Sequence, residues 1–330
     1  MDILIFFMFG AMLGSFLNVC IVRLPQEKSI VFPSSHCPKC LKSIAWYDNI
    51  PLISWLLLAG KCRQCKSPIS FRYWLIELLT GLSFAAFYIY FGLTPLLPAY
   101  LVMMCCFIIA TFVDLEHRII PDEVSIGGMW LGFLLSALIP QMHASAQDLS
   151  FGAFLAGLIV LLCLLLGWVY PLFCKHLIEE EEPYDDTPIK FLVLGALLFV
   201  SLVDSHVLVL PGSWNAHAVS LSSSLVGMII GGGSIYLMGL IGDIIFRKES
   251  MGGGDVKLMA MVGAFLGWKI AILAFFLAPF FGGVVGIAEK IRTKDSTIAY
   301  GPFLVLGTLL AMFWGQSIID WVLQGGIYHL

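Results

Sequence analysis

Nine predominantly apolar stretches, at about 3–22, 74–92, 97–113, 124–140, 150–173, 190–210, 219–246, 268–289 and 301–324, decide most of what this chain can fold into. Each is long enough to cross a hydrocarbon core of about 30 Å, several only with tilt or help from flanking residues. Backbone N–H and C=O groups find no water there, so each stretch is expected to close its own hydrogen bonds as an α-helix. A tenth run, 256–267, spans only marginally. With 59% of residues hydrophobic and 12% charged, there are too few charges to cover the surface of a soluble domain. The expected fold class is an all-α polytopic membrane protein, a helix bundle of about 8 to 10 spans.

The placement of charge says more than the net value of -4. Every Lys and Arg except Lys269 falls in loops on one side of the alternation: Arg23 through Arg72, Arg118, Lys175, Lys190, Arg247, Lys248, Lys257, Lys290, Arg292 and Lys294. The positive-inside rule makes that side cytosolic and puts both termini outside, provided that the short run crosses. Residues 1–22 read as a retained first span, because Asp2 stands where a secretory signal carries basic residues and no small-residue cleavage site precedes Arg23. The segment from Cys174 to Lys190, with Glu179 to Glu182, Asp185 and Asp186, reads as a solvated acidic loop.

The longest basic stretch holds two Cys-x-x-Cys pairs, Cys37/Cys40 and Cys62/Cys65. Four soft thiolates at this spacing suit a closed tetrahedral zinc site, a structural one with no open coordination position. Lys39, Lys42, Lys61, Arg63 and Lys66 lie near enough in sequence to offset its net negative charge. Redox dithiols or unligated thiols are the alternative. His36 is a spare ligand candidate, and the remaining cysteines sit in apolar runs as small hydrophobes.

Two aspartates stand out. Asp114 ends an apolar run, and its short side chain cannot snorkel far to water. Pro121 blocks a regular continuation, which leaves Asp122 to start or cap the next helix. Asp255 follows Gly252-Gly253-Gly254, a stretch without side chains where a peptide could approach the main chain. Alone, each has an ordinary explanation as a helix end or a cap. Taken together, on one side of the bilayer, they suit peptide hydrolysis by a carboxylate pair that shares one proton.

These segments resemble the bacterial prepilin peptidases, the type IV leader peptidases of the Gly-x-Gly-Asp class of intramembrane aspartyl proteases. The resemblance runs through Gly14-Ser15-Phe16-Leu17-Asn18, Arg23-Leu24-Pro25, both cysteine pairs, Asp48-Asn49-Ile50-Pro51-Leu52-Ile53-Ser54-Trp55, Ile69 to Tyr73 with Glu77, Asp114 to Asp122, and Gly252 to Lys257. It implies cleavage of the basic leader of type IV prepilins or type II secretion pseudopilins at the cytosolic face of the bacterial inner membrane, with Asp114 and Asp255 as the catalytic pair. It also implies S-adenosylmethionine-dependent methylation of the new amino terminus, since the chain keeps the amino-terminal module and all four cysteines. The residues that bind this cofactor are not assigned; Gly14, Asn18 and Glu77 are candidates. Lipid and prepilin-type substrates are the expected partners, nucleic acid is not.

The expected division is a first span at 1–22, a cytosolic zinc module at 23–73 and a protease core at 74–330. The interval between the aspartates is longer than the family pattern, which points to an extra helical hairpin near 174–218. Two added crossings would keep both aspartates on one side. The rival reading is an ion- or proton-coupled transporter, which would place its acids near mid-span in two related halves. Here they lie near span ends and the halves do not match.

Overall fold

A computed structural model describes residues 1–143, 149–173, 214–248, 250–293 and 299–323. The expected span at 190–210, the acidic loop and most of the added hairpin lie outside the described residues. Among those described there is no β-strand, only isolated bridges in the cysteine module. The helices are α1 (Asp2–Arg23), α2 (Ile53–Leu57), α3 (Phe71–Phe91), α4 (Leu96–His117), α5 (Asp122–Leu138), α6 (Leu149–Phe173), α7 (Trp214–Phe246), α8 (Gly253–Thr293) and α9 (Gly301–Leu323). Six of them, α1, α3, α4, α6, α7 and α8, contain segments long and apolar enough to cross a membrane; in α9 the apolar part is the shorter Gly301–Gly315. This is a multi-pass membrane protein.

Two compact units divide the chain, Met1–Val124 and Ser125–Leu330. In the first, α1 and α3 run antiparallel, with Phe6 stacked on Tyr88 at 4.5 Å near one end and the Asn18 amide donating to the Tyr73 carbonyl at 3.0 Å near the other. Gly10 and Gly14 let the two backbones approach, because a Cβ at Gly14 would lie 2.8 Å from the Glu77 Cα. Such small-residue contacts replace the hydrophobic driving force that lipid cannot provide. The end of α4 comes earlier than Pro121 alone would set it. Arg118 takes a left-handed conformation at φ 57° and returns its amide to the Asp114 carbonyl at 2.8 Å.

In the second unit the tightest seam joins α7 to α8. A methyl group at Gly263 would overlap the Gly227 carbonyl, and one at Gly231 would overlap the Met259 carbonyl. The Ser224 hydroxyl donates across this seam to the Ala264 carbonyl at 3.0 Å. The same Gly231 position also lies 3.4 Å from the Ala271 Cβ. In one continuous helix Met259 and Ala271 would stand about 18 Å apart, so α8 folds back on itself. The break is at Gly267, whose φ of 79° and ψ of 174° suit a residue without a side chain. The expected short run ending at 267 and the span from 268 are therefore the two limbs of one broken helix. The first limb reaches only about 20 Å, less than a full bilayer core.

Candidate active site and metal centre

The two cysteine pairs fold as two copies of one small loop. Cys37 donates its amide to the Lys42 carbonyl at 3.0 Å and Leu41 donates to Cys37 at 2.9 Å; Cys62 donates to Ser67 at 2.9 Å and Lys66 to Cys62 at 3.0 Å. Leu41 and Lys66 occupy matching left-handed positions at φ 57° and 58°. The bridges His36 with Ser43 and Lys61 with Pro68 close each loop at the same offset. This repeat brings the Sγ atoms of Cys37, Cys40, Cys62 and Cys65 within 4.8 Å of one another, a set that could hold a metal ion.

A tetrahedral ion with four bonds of about 2.3 Å to sulfur needs sulfur atoms about 3.8 Å apart. Cys37 and Cys65 stand at 3.7 Å. Backbone amides of Cys40 and Lys39 pull the Cys37 thiol down to about 6, and the Ser67 hydroxyl lowers Cys65. For Cys40 the Lys42 amide also pulls down but is outweighed by desolvation and by the neighbouring thiols of Cys37 and Cys65, which leaves it at about 11. Four thiols this close cannot all ionise unless a cation joins them. His36 turns instead to the Ser34 carbonyl at 3.0 Å and is outside the cluster.

Around the cluster, Arg63 makes a forked ion pair with Asp48, at 2.7 and 2.9 Å to Oδ1. The Lys42 ammonium reaches Gln64 in the second pair at 3.4 Å. Between the pairs, Pro51-Leu52-Ile53 forms a γ-turn of the rarer hand, with Leu52 at φ 64°, ψ -51° and the Ile53 amide on the Pro51 carbonyl at 2.6 Å. The Leu52 amide is held by the Glu77 carboxylate at 2.8 Å. Trp55 packs on Phe71 and Trp74 of α3. Asn18, whose amide donates to the carbonyl of Tyr73 one turn before Glu77, is 2% exposed, and its Oδ1 is buried with no partner.

Asp114 lies in the last turn of α4 and is only 6% exposed. Near it, Glu116 of the same turn pairs with Arg72 of α3. Asp255 lies in the first turn of α8, two residues past its start rather than at the cap. Its amide donates to the Gly252 carbonyl at 3.1 Å, and a Cβ at Gly252 would stand 3.5 Å from its Oδ2. A Cβ at Gly253 would meet nothing within 4 Å. At Gly253, two residues before the aspartate, the backbone is therefore open among the described residues. Asp114 belongs to the first unit and Asp255 to the second.

Sequence reasoning missed two groups, the Leu52 amide bound by Glu77 and, near the end of α7, the Asp243 carboxylate, which accepts from the Ser250 amide at 2.7 Å just ahead of the glycines. The first had a signal in Pro51 after a polar turn; the second had none beyond an aspartate near the end of an apolar run.

Two family models match the chain. The bacterial peptidase A24 N-terminal domain covers residues 8–91, and the type IV leader peptidase family covers 101–175 and 186–287. A prepilin leader peptidase/N-methyltransferase of Myxococcus xanthus is 40% identical over 201 residues, which span 59% of this chain and 59% of that relative's length. Proteins of the same name match over nearly the whole chain: that of Legionella pneumophila is 28% identical over 95% of this chain and 92% of its own, and that of Pseudomonas aeruginosa 26% identical over 96% and 91%. No solved structure matches.

Proposed function

The chain belongs to the type IV leader peptidase family, and on that premise we propose that it cleaves the leader of prepilin-type substrates with Asp114 and Asp255 and methylates the new amino terminus. In the cleavage step the ionised carboxylate takes a proton from water, whose oxygen attacks the scissile carbonyl. The protonated partner donates to the carbonyl oxygen and then to the leaving amine. The observation that carries the reading is the setting of Asp255, a carboxylate in the first turn of a helix beside open backbone at Gly253. An extended peptide can lie along such an edge with no side chain in its way. The excess of Lys and Arg in alternate loops supports the cytosolic face as the place of cleavage.

Zinc in the four-thiolate cluster is structural in this reading, because all four positions are filled by sulfur. S-adenosylmethionine, when bound, supplies the methyl group. Asn18 Oδ1 and the Glu77 carboxylate are acceptor atoms that fit positive charge at the α1–α3 seam, and they would hold the cationic part of that cofactor or the amine that receives the methyl.

The test is cleavage of a prepilin leader peptide by the purified, folded protein. Asp114→Asn and Asp255→Asn should each lose activity by at least about 100-fold. Normal cleavage by either variant overturns the pair.

A further inference from the structure

Of the three glycines before Asp255, Gly253 and Gly254 open α8 and Gly252 precedes it, and the residues just ahead are tightly bound to the end of α7. The Ser250 amide donates to Asp243 Oδ1 at 2.7 Å. The Ser250 hydroxyl lies 2.8 Å from the same oxygen and 3.0 Å from the Gly239 carbonyl, and its single proton serves one of these acceptors at a time. The Arg247 amide donates to the Asp243 carbonyl at 2.7 Å, with Arg247 in a left-handed conformation at φ 53°. Glycines at 239 and 242 make the room. A Cβ at Gly239 would stand 3.3 Å from the Met251 Cβ, and one at Gly242 would overlap the Ser250 hydroxyl.

From these contacts we infer that Asp243 is a positioning residue for Asp255: through Ser250 it anchors the glycine segment from which the α8 carboxylate projects. The inference rests on the catalytic reading of Asp255. Its physical basis is short range and low freedom. Glycine peptides lose more conformational freedom on ordering than any others, so without the anchor the start of α8 around Gly252 and Gly253 would fray even though the limb beyond is packed on α7. A side-chain oxygen that accepts from the Ser250 amide ties this junction to α7, a bond that a neutral amide oxygen in the same place can also make. Only Met251 separates Ser250 from Gly252, which stands against the Asp255 carboxylate. A displacement of the anchor is therefore passed to the reacting oxygens, where small misplacements are costly.

The test uses the full-length protein and a prepilin leader peptide, with thermal midpoint and zinc content as checks of folding. Asp243→Ala should lower kcat at least tenfold with KM changed less than twofold, the signature of misplaced chemistry rather than weakened substrate binding. Asp243→Asn keeps an acceptor oxygen at the same place and should recover kcat to within threefold of the parent. Gly242→Ala leaves Asp243 intact but evicts Ser250, and should reproduce the kcat loss; it decides the matter if Asp243→Ala does not fold. Parental rates in both Asp243→Ala and Gly242→Ala, alongside an inactive Asp255→Asn, overturn the anchor. So does Asn failing as badly as Ala, which would assign the effect to charge. Normal cleavage by Asp255→Asn overturns the catalytic reading itself.

Discussion

Leu52 and Glu77 are bound to each other across the boundary between the cysteine module and the helices: the Leu52 amide donates to the Glu77 carboxylate at 2.8 Å. Leu52 sits in a strained turn, so the carboxylate stabilises a conformation that the local sequence disfavours. Glu77→Ala should cost about 1–3 kcal/mol of stability, the range for leaving a partly buried donor unsatisfied. If Glu77 also serves the methyl-transfer site, the variant should lose methylation at least tenfold while leader cleavage changes less than threefold. Parallel assays of both activities on one preparation check this.

Metal removal gives a second outcome. Elemental analysis should find one zinc per chain, and Cys37→Ser combined with Cys62→Ser should abolish it, since each substitution removes a ligand from a different loop. Because the site leaves no position for a catalytic water, leader cleavage by Asp114 and Asp255 should survive in any such variant that stays folded.

Acidification should expose a buried histidine. His143 lies in the short turn after α5, with Nε2 lacking a partner, and burial lowers its imidazole to about 4. Since the folded value lies below the ordinary value of about 6.5, the unfolded chain takes up the proton first. The penalty is absent above about 6.5 and grows as pH falls toward 4. His143→Gln should flatten this part of the profile, so that the difference in thermal midpoint between variant and parent changes in favour of the variant between pH 7 and pH 4.5.

Packing at the α7–α8 seam predicts a fourth result. Ala in place of Gly263 puts a methyl group into the Gly227 carbonyl, with backbone on both sides and nothing flexible to move. Gly263→Ala should destabilise by at least about 2 kcal/mol, at the upper end of overpacking costs. Gly157→Ala, where a Cβ meets nothing within 4 Å, should be nearly neutral. Thermal unfolding of both in the same detergent separates the two.

The spans were legible because length and apolarity alone force a helix in hydrocarbon: the run at 3–22 became Asp2–Arg23 and that at 150–173 became Leu149–Phe173. The cysteine cluster was legible from spacing, since two Cys-x-x-Cys loops have few ways to fold other than toward a common centre. Helix ends were harder. Pro121 suggested where α4 stops, but a left-handed Arg118 ends it sooner, and nothing in the identity of an arginine announces that conformation. The Asp243–Ser250 anchor was invisible for a similar reason: its bonds run from side chain to backbone across a turn, and no residue pattern encodes them.

The contact between Gly227 and Gly263 has a mechanical consequence. Main chain rests on main chain there, with no side chains between to act as a compliant layer. The first limb of α8 cannot slide or roll against α7 without breaking that register, so the two travel as a single lever. Any movement of Asp255 with the first limb of α8 is then shared by α7.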